Sequence, residues 1–258
     1  MRIAIHFRRG SYSEGWINYC MEKNIPYKLV NAYESNIIEQ VADCDVFMWH
    51  FDSRIPSDTI MASQLLFALQ MAGKKVFPDF NTCWHFNDKV GQKYLLESIG
   101  APLVTSYVYY SKTDAFSAIS NIRFPIVFKL RVGAGASNVW LISSKPQAQK
   151  IVRKLFGKGF NQYNYLADFK DGWENYKSHK LSFKGLLFKL LQFAFPPQQS
   201  KLLSIERGYF YFQEFIPENT FDVRLIIIGG EKAYGMKRIV RKNDFRASGS
   251  SDFVYDGM

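Results

Sequence analysis

Short apolar runs alternate with stretches of helical periodicity over the first hundred residues of the chain. The apolar runs predict strands near residues 2–6, 26–30, 45–49 and 75–78. Between them, apolar positions recur at helical spacing and predict helices near residues 12–23, 58–72 and 88–98. Strands and helices in alternation are typical of an α/β layer with a mainly parallel sheet.

The pattern changes at Gly100-Ala-Pro102, which interrupts both periodicities. Strands are then predicted near residues 105–110, 125–130 and 139–142, and the last two form a hairpin-like unit around a loop of small residues. Further strand-like runs cover residues 209–216, 223–228 and 232–239, with a turn at Gly229-Gly230. This part of the chain differs from the βαβ units before it.

Residues 157–206 are harder to place. They contain a helix candidate at 179–195 that is apolar on most sides and carries Lys180, Lys184 and Lys189. The candidate is too short and too charged to span a membrane, although it could lie in a membrane interface. A helix that packs in the protein's own core or against a partner is the plainer interpretation.

The composition indicates a folded protein with more than one core. The chain has 258 residues, of which 47% are hydrophobic, and this length favours two or three subdomains. No stretch of about 20 uncharged apolar residues occurs, and the first residues predict a strand rather than a signal peptide, so we expect a cytoplasmic protein. Cys20, Cys44 and Cys83 are too few and too widely spaced for a disulfide framework or a zinc site, and we expect them to be reduced.

The net charge of +10 and the isoelectric point of about 9.4 suit an anionic partner. A nucleotide, a nucleic acid, an acidic peptide and a membrane surface all fit that description. A basic surface also serves solubility, so the charge alone does not choose among them.

Two neighbouring features indicate a site for phosphate. Lys129 lies inside an apolar strand, where an unpaired ammonium is costly to bury, so it should have an anionic partner. A structural salt bridge would serve as well as a phosphate. The loop Gly133-Ala-Gly-Ala-Ser137 could bring backbone N–H groups close to an anion, or it could be an ordinary hairpin loop. It matches neither a P-loop nor the dinucleotide fingerprint.

Later motifs add a possible purine site and several charges. Gln213-Glu214-Phe215-Ile216 places backbone groups and a carboxylate beside apolar side chains that could cover a base. Asp222 and Arg224 alternate on one strand, where a cross-strand ion pair is the competing interpretation. The basic run from Lys237 to Ser248 is either a solvated turn or a source of cations for phosphoryl transfer.

The order of these motifs resembles the ATP-grasp superfamily. They are Asn87-Asp-Lys89, the strand that ends at Lys129 with its glycine loop, Gln213-Glu-Phe-Ile216, Asp222-Val-Arg224 and Asp244-Phe-Arg-Ala-Ser248. The series looks most like the branch that contains ribosomal-protein glutamate ligases and glutathione synthetases. It covers roughly residues 75–250, and residues 1–74 fit the α/β domain that precedes the grasp in that family.

The resemblance implies an α/β fold with a parallel N-terminal domain and an antiparallel grasp that holds ATP between its halves. The expected domains are an N-terminal α/β domain at 1–85, a first grasp subdomain with lid loop and helical insert at 86–206, and the start of a second grasp subdomain at 207–258. The C-terminal part of this fold is expected to be incomplete in the chain.

The resemblance also implies roles for individual residues. Lys129 would contact the α- and β-phosphates and the adenine edge, and Lys89 is a weaker candidate because only a short Asp-Lys pair matches. Gly133, Gly135 and Ser137 would belong to a mobile lid over the phosphates. Glu214 and Phe215 would form the adenine hinge through backbone atoms, Asp222 would bind ribose, and Arg238 and Arg246 would face the γ-phosphate and an acyl phosphate.

The function implied is an ATP-dependent carboxylate–amine ligase that uses ATP and Mg²⁺. Its donor and acceptor would be of the amino acid or peptide class. Two departures stand out: Ser248 replaces an expected asparagine, and no Glu-x-Asn triplet, the family's magnesium motif, follows Arg246. An ATP-binding protein without ligase activity is therefore an alternative.

A third possibility is a basic RNA-binding or membrane-surface protein that uses residues 179–195, and an oligomer is possible as well. Nucleic acid is the less favoured partner because it leaves the ordered motifs unexplained. Arg8-Arg9-Gly10-Ser11 and Trp49-His50-Phe51 follow parallel strands, at the edge where α/β folds place ligands, and they face either substrate or solvent.

Overall fold

The computed structural model describes residues 1–53, 55–132, 138–162, 169, 172–173, 176–177, 181–195, 204–240, 244–247 and 253–255. The described chain forms two compact units that meet in sequence between Asp88 and Lys89. Neither unit shares a described sheet or hydrophobic core with the other, and the two are described in turn.

The first unit is built on a four-stranded parallel sheet, as the sequence predicted. Its strands are β1 (Ile3–His6), β2 (Tyr27–Val30), β3 (Val46–Met48) and β4 (Lys75–Phe77), in the order β2-β1-β3-β4. Its helices are α1 (Tyr12–Glu22), α2 (Ile37–Gln40), α3 (Pro56–Met71) and α4 (Phe80–Cys83). The short helices α2 and α4 were not predicted.

Helices cover both faces of this sheet. Alternate residues of β1 point to opposite faces, so Ala4 joins a core with Leu66 of α3, whereas Ile3 and Ile5 pack with α1. Ser11 caps α1 by accepting a hydrogen bond from the N–H of Ser13 at 3.2 Å. The three cysteines are buried and form no disulfide, as expected.

The second unit begins with a four-stranded antiparallel sheet. Its strands are β5 (Ser106–Tyr109), β6 (Ile126–Lys129), β7 (Val139–Ile142) and β10 (Phe210–Glu214), in the order β5-β10-β6-β7. Three helices accompany it: α5 (Lys89–Ser98), α6 (Lys112–Asn121) and α7 (Lys145–Leu155). The hairpin of β6 and β7 was predicted, whereas α6 and α7 were missed.

The position of β10 bears on the expected domain division, which stays a prediction. The sequence predicts that a second grasp subdomain starts at residue 207. In the structure, β10 lies between β5 and β6 and is a central strand of the four-stranded antiparallel sheet, which we call the first sheet. The physical reason is burial, because Phe210 and Phe212 are almost inaccessible and pack with Phe128 of β6.

The two faces of the first sheet have different surroundings. Phe210 and Phe212 of β10 enter the large core that α6 and α7 cover. Tyr209 and Tyr211, which alternate with them, pack instead with Val90 of α5. The sheet therefore has a helix-covered core face and an opposite face that carries polar groups.

The remaining described elements also belong to the second unit. They are β8 (Phe160–Asn161) paired with β9 (Ile205–Glu206), helix α8 (Phe183–Ala194), and a three-stranded antiparallel sheet of β11 (Phe221–Ile228), β12 (Lys232–Ile239) and β13 (Phe253–Val254). Gly229 and Gly230 form the predicted turn between β11 and β12, and both have positive φ. Most side chains of β11 are exposed, in contrast to those of β10.

Candidate functional site

Lys129, the last residue of β6, is a mostly buried cation that faces a neutral partner. Its Nζ donates a hydrogen bond to Oε1 of Gln213 on β10. Burial lowers the pKa of Lys129 below its usual value, and no carboxylate contributes to that shift. Among the described residues, Lys129 makes no salt bridge. The structural ion pair that sequence reasoning left open is therefore not present in the described part of the chain.

The amide of Gln213 is itself held in place. Its Nε2 donates to the hydroxyl of Ser106 at 2.8 Å, and that hydroxyl donates to the carbonyl oxygen of Val104 at 2.7 Å. Because the amide nitrogen is used in this way, the amide oxygen faces Lys129. Sequence reasoning quoted Gln213 within a motif but gave it no role, and it gave no signal at all for Ser106.

The proposed lid residues Gly133, Gly135 and Ser137 lie outside the described residues, whereas both flanks of their loop are described. On the first flank, the N–H of Arg131 donates to the hydroxyl of Tyr209 at 2.7 Å. On the second flank, Asn138 donates from Nδ2 to the carbonyl oxygen of Gln162 at 2.7 Å. Asn138 is buried and has a left-handed backbone (φ 60°).

Glu206 connects these two flanks. Its Oε2 accepts from the Tyr209 hydroxyl at 2.7 Å, and its Oε1 accepts from Nε2 of Gln162 at 2.9 Å. Arg131 also approaches the same carboxylate, with Nη2 3.6 Å from Oε1. We call Glu206, Tyr209, Arg131, Gln162 and Asn138 the Glu206 network. It fixes the entry and exit of the loop relative to β6, and sequence reasoning missed it.

Lys89 lies next to the same strand. As the first residue of α5, it donates its backbone N–H to the carbonyl oxygen of Arg131 at 2.9 Å. The following residue, Val90, packs with Tyr211 on the polar face of the sheet. The structure thus places the backbone of Lys89 against the loop flank at Arg131.

The hinge candidates Glu214 and Phe215 follow directly after Gln213. The N–H of Glu214 donates to the carbonyl oxygen of Thr105 at 3.0 Å, and its carboxylate accepts from the Tyr107 hydroxyl at 3.3 Å. The Phe215 ring meets the Phe245 ring edge-on, with 6.3 Å between centroids. The hinge candidates are therefore joined in sequence to the partner of Lys129.

Asp222 and Arg238 form a cross-strand ion pair, which was the alternative to a ligand contact for this motif. Arg224 is exposed and is not part of that pair. Asp222 and Arg238 face each other on β11 and β12, and Arg238 donates from Nε and Nη2 to the two carboxylate oxygens at 2.6 Å each. This bidentate geometry is the strong form of the interaction. Two site candidates are thus paired with each other.

Arg246 is also paired with a carboxylate. It donates from Nη2 to Oδ2 of Asp244 at 2.7 Å. Burial alone would raise the pKa of Asp244, but the hydrogen bonds and charge of Arg246 outweigh it and lower that pKa. The neighbouring Arg241, Lys242 and Ser248 lie outside the described residues.

The first unit carries a polar cluster at the carboxyl edge of its sheet. Arg8 approaches Asp58 at 3.6 Å and Asp52 at 3.9 Å, and the hydroxyl of Tyr33 donates to Asp58. Asp58 is almost fully buried, and burial together with this bond raises the pKa of Tyr33 to about 12. His50 accepts a hydrogen bond from the N–H of Tyr12.

Sequence reasoning singled out Arg8 and His50 in this cluster but missed the three residues that surround Arg8.

A cavity of about 900 Å³ lies elsewhere, against Tyr107, Tyr109, Phe212, Glu214 and Phe215 in the second unit. Since Phe212 points to the core face, this cavity is on the side of the sheet opposite Gln213 and Lys129. It is therefore not on the face that carries Lys129.

Two general features concern metals and membranes. The described residues contain no group of three or more His, Cys, Asp or Glu side chains that could hold a metal ion. None of the described helices is long and apolar enough to cross a membrane.

Comparison with known proteins gives no match by sequence and clear matches by fold. No protein-family model matches the chain, and no curated protein matches it. A RimK-domain ATP-grasp protein from Sphaerobacter thermophilus is similar over 92% of this chain and 73% of that chain, with 16% identity and a TM-score of 0.53.

Two further structures were solved with nucleotide. The N5-carboxyaminoimidazole synthase of Aspergillus clavatus, in complex with ADP and 5-aminoimidazole ribonucleotide, is 9% identical with a TM-score of 0.52, over 94% of this chain and 54% of that one. The biotin carboxylase domain of the Hydrogenobacter thermophilus 2-oxoglutarate carboxylase, with MgADP, ADP and bicarbonate, is 10% identical with a TM-score of 0.53, over 94% and 51%. The chain thus spans about half the length of these two structures, and the likeness is one of fold.

Proposed function

We propose that this chain, which has the ATP-grasp fold, binds ATP on the polar face of its first antiparallel sheet and is an ATP-dependent carboxylate–amine ligase. The observation that carries the proposal is Lys129, a mostly buried ammonium whose partner is the neutral amide of Gln213. A buried charge is retained where an opposite charge compensates it, and a nucleotide phosphate is the anion that suits this fold.

The other candidates support the same ligand. Lys89 adds a second lysine next to the carbonyl of Arg131, at the flank of the proposed lid. Glu214 and Phe215 would read the adenine edge through backbone atoms, in continuity with Gln213. Asp222 would bind ribose, and it would have to release Arg238 in order to do so.

The proposed reaction has two steps. A carboxylate oxygen of the donor attacks the γ-phosphorus of ATP. The bond between the γ-phosphorus and the β-phosphate oxygen breaks, so that ADP departs and an acyl phosphate is formed. An amine nitrogen then attacks the acyl carbon, the bond to the phosphate oxygen breaks, and inorganic phosphate leaves as the amine loses a proton. Arg238 and Arg246 are proposed to balance the negative charge that moves onto the phosphate oxygens.

Magnesium is the metal that this chemistry normally uses, because it bridges phosphate oxygens. The described residues do not supply a cluster of ligands for it. We therefore assign no step to a protein-held magnesium ion. The donor and acceptor are proposed to be of the amino acid or peptide class, and the compartment is proposed to be the cytoplasm.

A nucleotide-turnover assay tests the proposal. Purified protein is incubated with ATP, Mg²⁺ and mixtures of amino acids and peptides, and ADP and phosphate release are measured together with product mass. Release that requires both a carboxylate and an amine supports the ligase. ATP binding without any release would favour the ATP-binding alternative, and absence of ATP binding would contradict the whole assignment.

Base selection gives a separate test of the hinge. If backbone atoms near Glu214 and Phe215 read the base edge, ATP should raise the thermal midpoint more than GTP does at equal concentration. Equal shifts by the two nucleotides would remove the hinge from the site and leave a general phosphate site at Lys129.

A further inference from the structure

Helix α8 (Phe183–Ala194) presents an unusually apolar surface to solvent. Ser182 caps the helix by accepting from the N–H of Gly185 at 3.2 Å. Its large exposed side chains are Phe183, Leu187, Phe188, Leu190 and Leu191, joined by Phe195 beyond the helix end, with exposures from 44% to 76%.

These exposed side chains form one face of the helix. At about 100° per residue, they span an arc of roughly 160°. Among the described side chains of α8, Leu186 lies outside this arc and is buried. Lys189 and Gln192 lie on the far side and are half-buried. The helix is thus amphipathic, and its apolar side is directed away from the protein.

The sequence that contains α8 is basic. From residue 175 to residue 205 the sequence contains no aspartate or glutamate and has lysines at 177, 180, 184, 189 and 201. Lys184 is exposed within the apolar arc itself. The chain as a whole carries a net charge of +10. The surface that covers this face should therefore combine apolar material with negative charge.

A second copy of this chain is a poor occupant by this criterion. A two-fold contact between apolar arcs would bring the Lys184 ammonium groups of both copies into one dry interface, where like charges repel. An anionic lipid surface satisfies both requirements. Phenylalanine and leucine side chains can enter the boundary of the acyl chains, while Lys184 extends its ammonium to the lipid phosphates.

We propose that α8 is an interfacial helix that binds this protein to the surface of an anionic lipid bilayer. The helix lies in the plane of the interface with the arc from Phe183 to Phe195 directed into the membrane. This binding is independent of the nucleotide site, since it uses none of the residues placed there. The protein would be a peripheral one, held by apolar contact together with electrostatic attraction.

Vesicle co-sedimentation of the full chain tests the proposal. Vesicles of neutral phosphatidylcholine are compared with vesicles that also contain phosphatidylserine, at low and high salt. Binding should require the anionic lipid and weaken as salt rises. Lys184→Gln should weaken binding by about five-fold at low salt, because one basic residue near the surface is removed.

A matched pair of double variants separates α8 from general stickiness. Phe183→Ser with Phe188→Ser removes two exposed rings from the arc and should weaken vesicle binding by at least about 100-fold. Leu225→Ser with Ile227→Ser removes two equally exposed side chains from β11 and should leave binding unchanged. Thermal unfolding and the ATP-induced shift of both variants check that fold and nucleotide site are intact.

Three results would overturn the proposal. Equal binding to neutral vesicles would show that negative charge is not recognised, and equal loss in the β11 variant would show that the effect is not specific to α8. No vesicle binding, together with a concentration-dependent dimer that the Phe183 and Phe188 variant abolishes, would instead make this face an interface between copies.

Discussion

Two antiparallel sheets of the second unit hold their cations in opposite ways. In the first sheet, Lys129 is buried beside the neutral amide of Gln213. In the second sheet, formed by β11, β12 and β13, Arg238 is held by both carboxylate oxygens of Asp222. In the first arrangement, an incoming anion can pair directly with the ammonium of Lys129. In the second arrangement, Arg238 must release the Asp222 carboxylate before it can pair with a ligand.

The sheets differ in packing as well. Phe128 and Phe212 of the first sheet are almost fully buried between strands and helices, whereas Leu225 and Ile227 of the second are 67% exposed. A well-packed sheet can fix the direction of a side chain before a ligand binds. This reduces the conformational entropy that the side chain loses on binding. We therefore assign the anchoring of the nucleotide to the first sheet.

The largest expected effect concerns this difference in packing. Phe128→Ala removes a fully buried ring and should lower the free energy of unfolding by about 3–5 kcal/mol, because a cavity remains in the core. Leu225→Ala should change it by no more than about 0.5 kcal/mol. Denaturant titrations measure both. A large loss from Leu225→Ala would show that β11 is covered in solution and that the contrast does not hold.

The next effect concerns the Glu206 network, which fixes the loop flanks of the first sheet. Glu206→Ala leaves the Tyr209 hydroxyl and the Gln162 amide without their acceptor, which should cost about 1–3 kcal/mol of stability. Glu231→Ala, at the exposed turn after β11, is the matched control and should be nearly neutral. Similar losses in the two variants would argue against a network that selectively holds the loop flanks.

A smaller effect is expected for the ion pair of the second sheet. A double-mutant cycle with Asp222→Asn and Arg238→Gln should give a coupling of about 1 kcal/mol in the absence of nucleotide, since the pair is only part-buried. In saturating ATP the coupling should decrease if Arg238 exchanges its carboxylate for phosphate. An unchanged coupling would confine this pair to a structural role.

The smallest effect is a pH dependence at Lys129 of the first sheet. The pKa of Lys129 in the folded protein is lowered from the usual 10.5, so between the two values the unfolded chain binds more protons than the folded one. The free energy of unfolding should therefore rise with pH in this window. Lys129→Met should lack that component, and identical pH profiles for wild type and variant would contradict the shift.

The predictability of the fold follows from the range of the interactions. The parallel strands of the first unit and the hairpin of β11 and β12 were predicted because periodicity and turn residues are local signals. The insertion of β10 between β5 and β6 was not, since Phe212 pairs with Phe128 from a distant part of the chain. Helix α6 was overlooked despite a local signal, the Ser111 cap that accepts from the N–H of Asp114.

The geometry of the candidate site was predictable to a similar extent. A lysine inside an apolar strand indicated a buried charge at Lys129, because the local sequence is enough to show it. Its partner Gln213 and the carboxylate of Glu206 were given no role, since each acts through contacts that only folding creates. The pairing of Asp222 with Arg238 likewise depends on a strand register that the sequence did not specify.

The most direct test of the central claim is a calorimetric titration of ATP into Lys129→Met. A charge-assisted hydrogen bond to phosphate contributes about 1.5–3 kcal/mol, so ATP should bind roughly 10- to 150-fold more weakly, while the thermal midpoint without nucleotide stays equal or rises because a buried charge is gone. Lys75→Met, at an exposed position of β4, should change neither quantity. Unchanged ATP affinity in Lys129→Met, or a marked loss of stability without nucleotide, would show that Lys129 serves the fold and not the ligand.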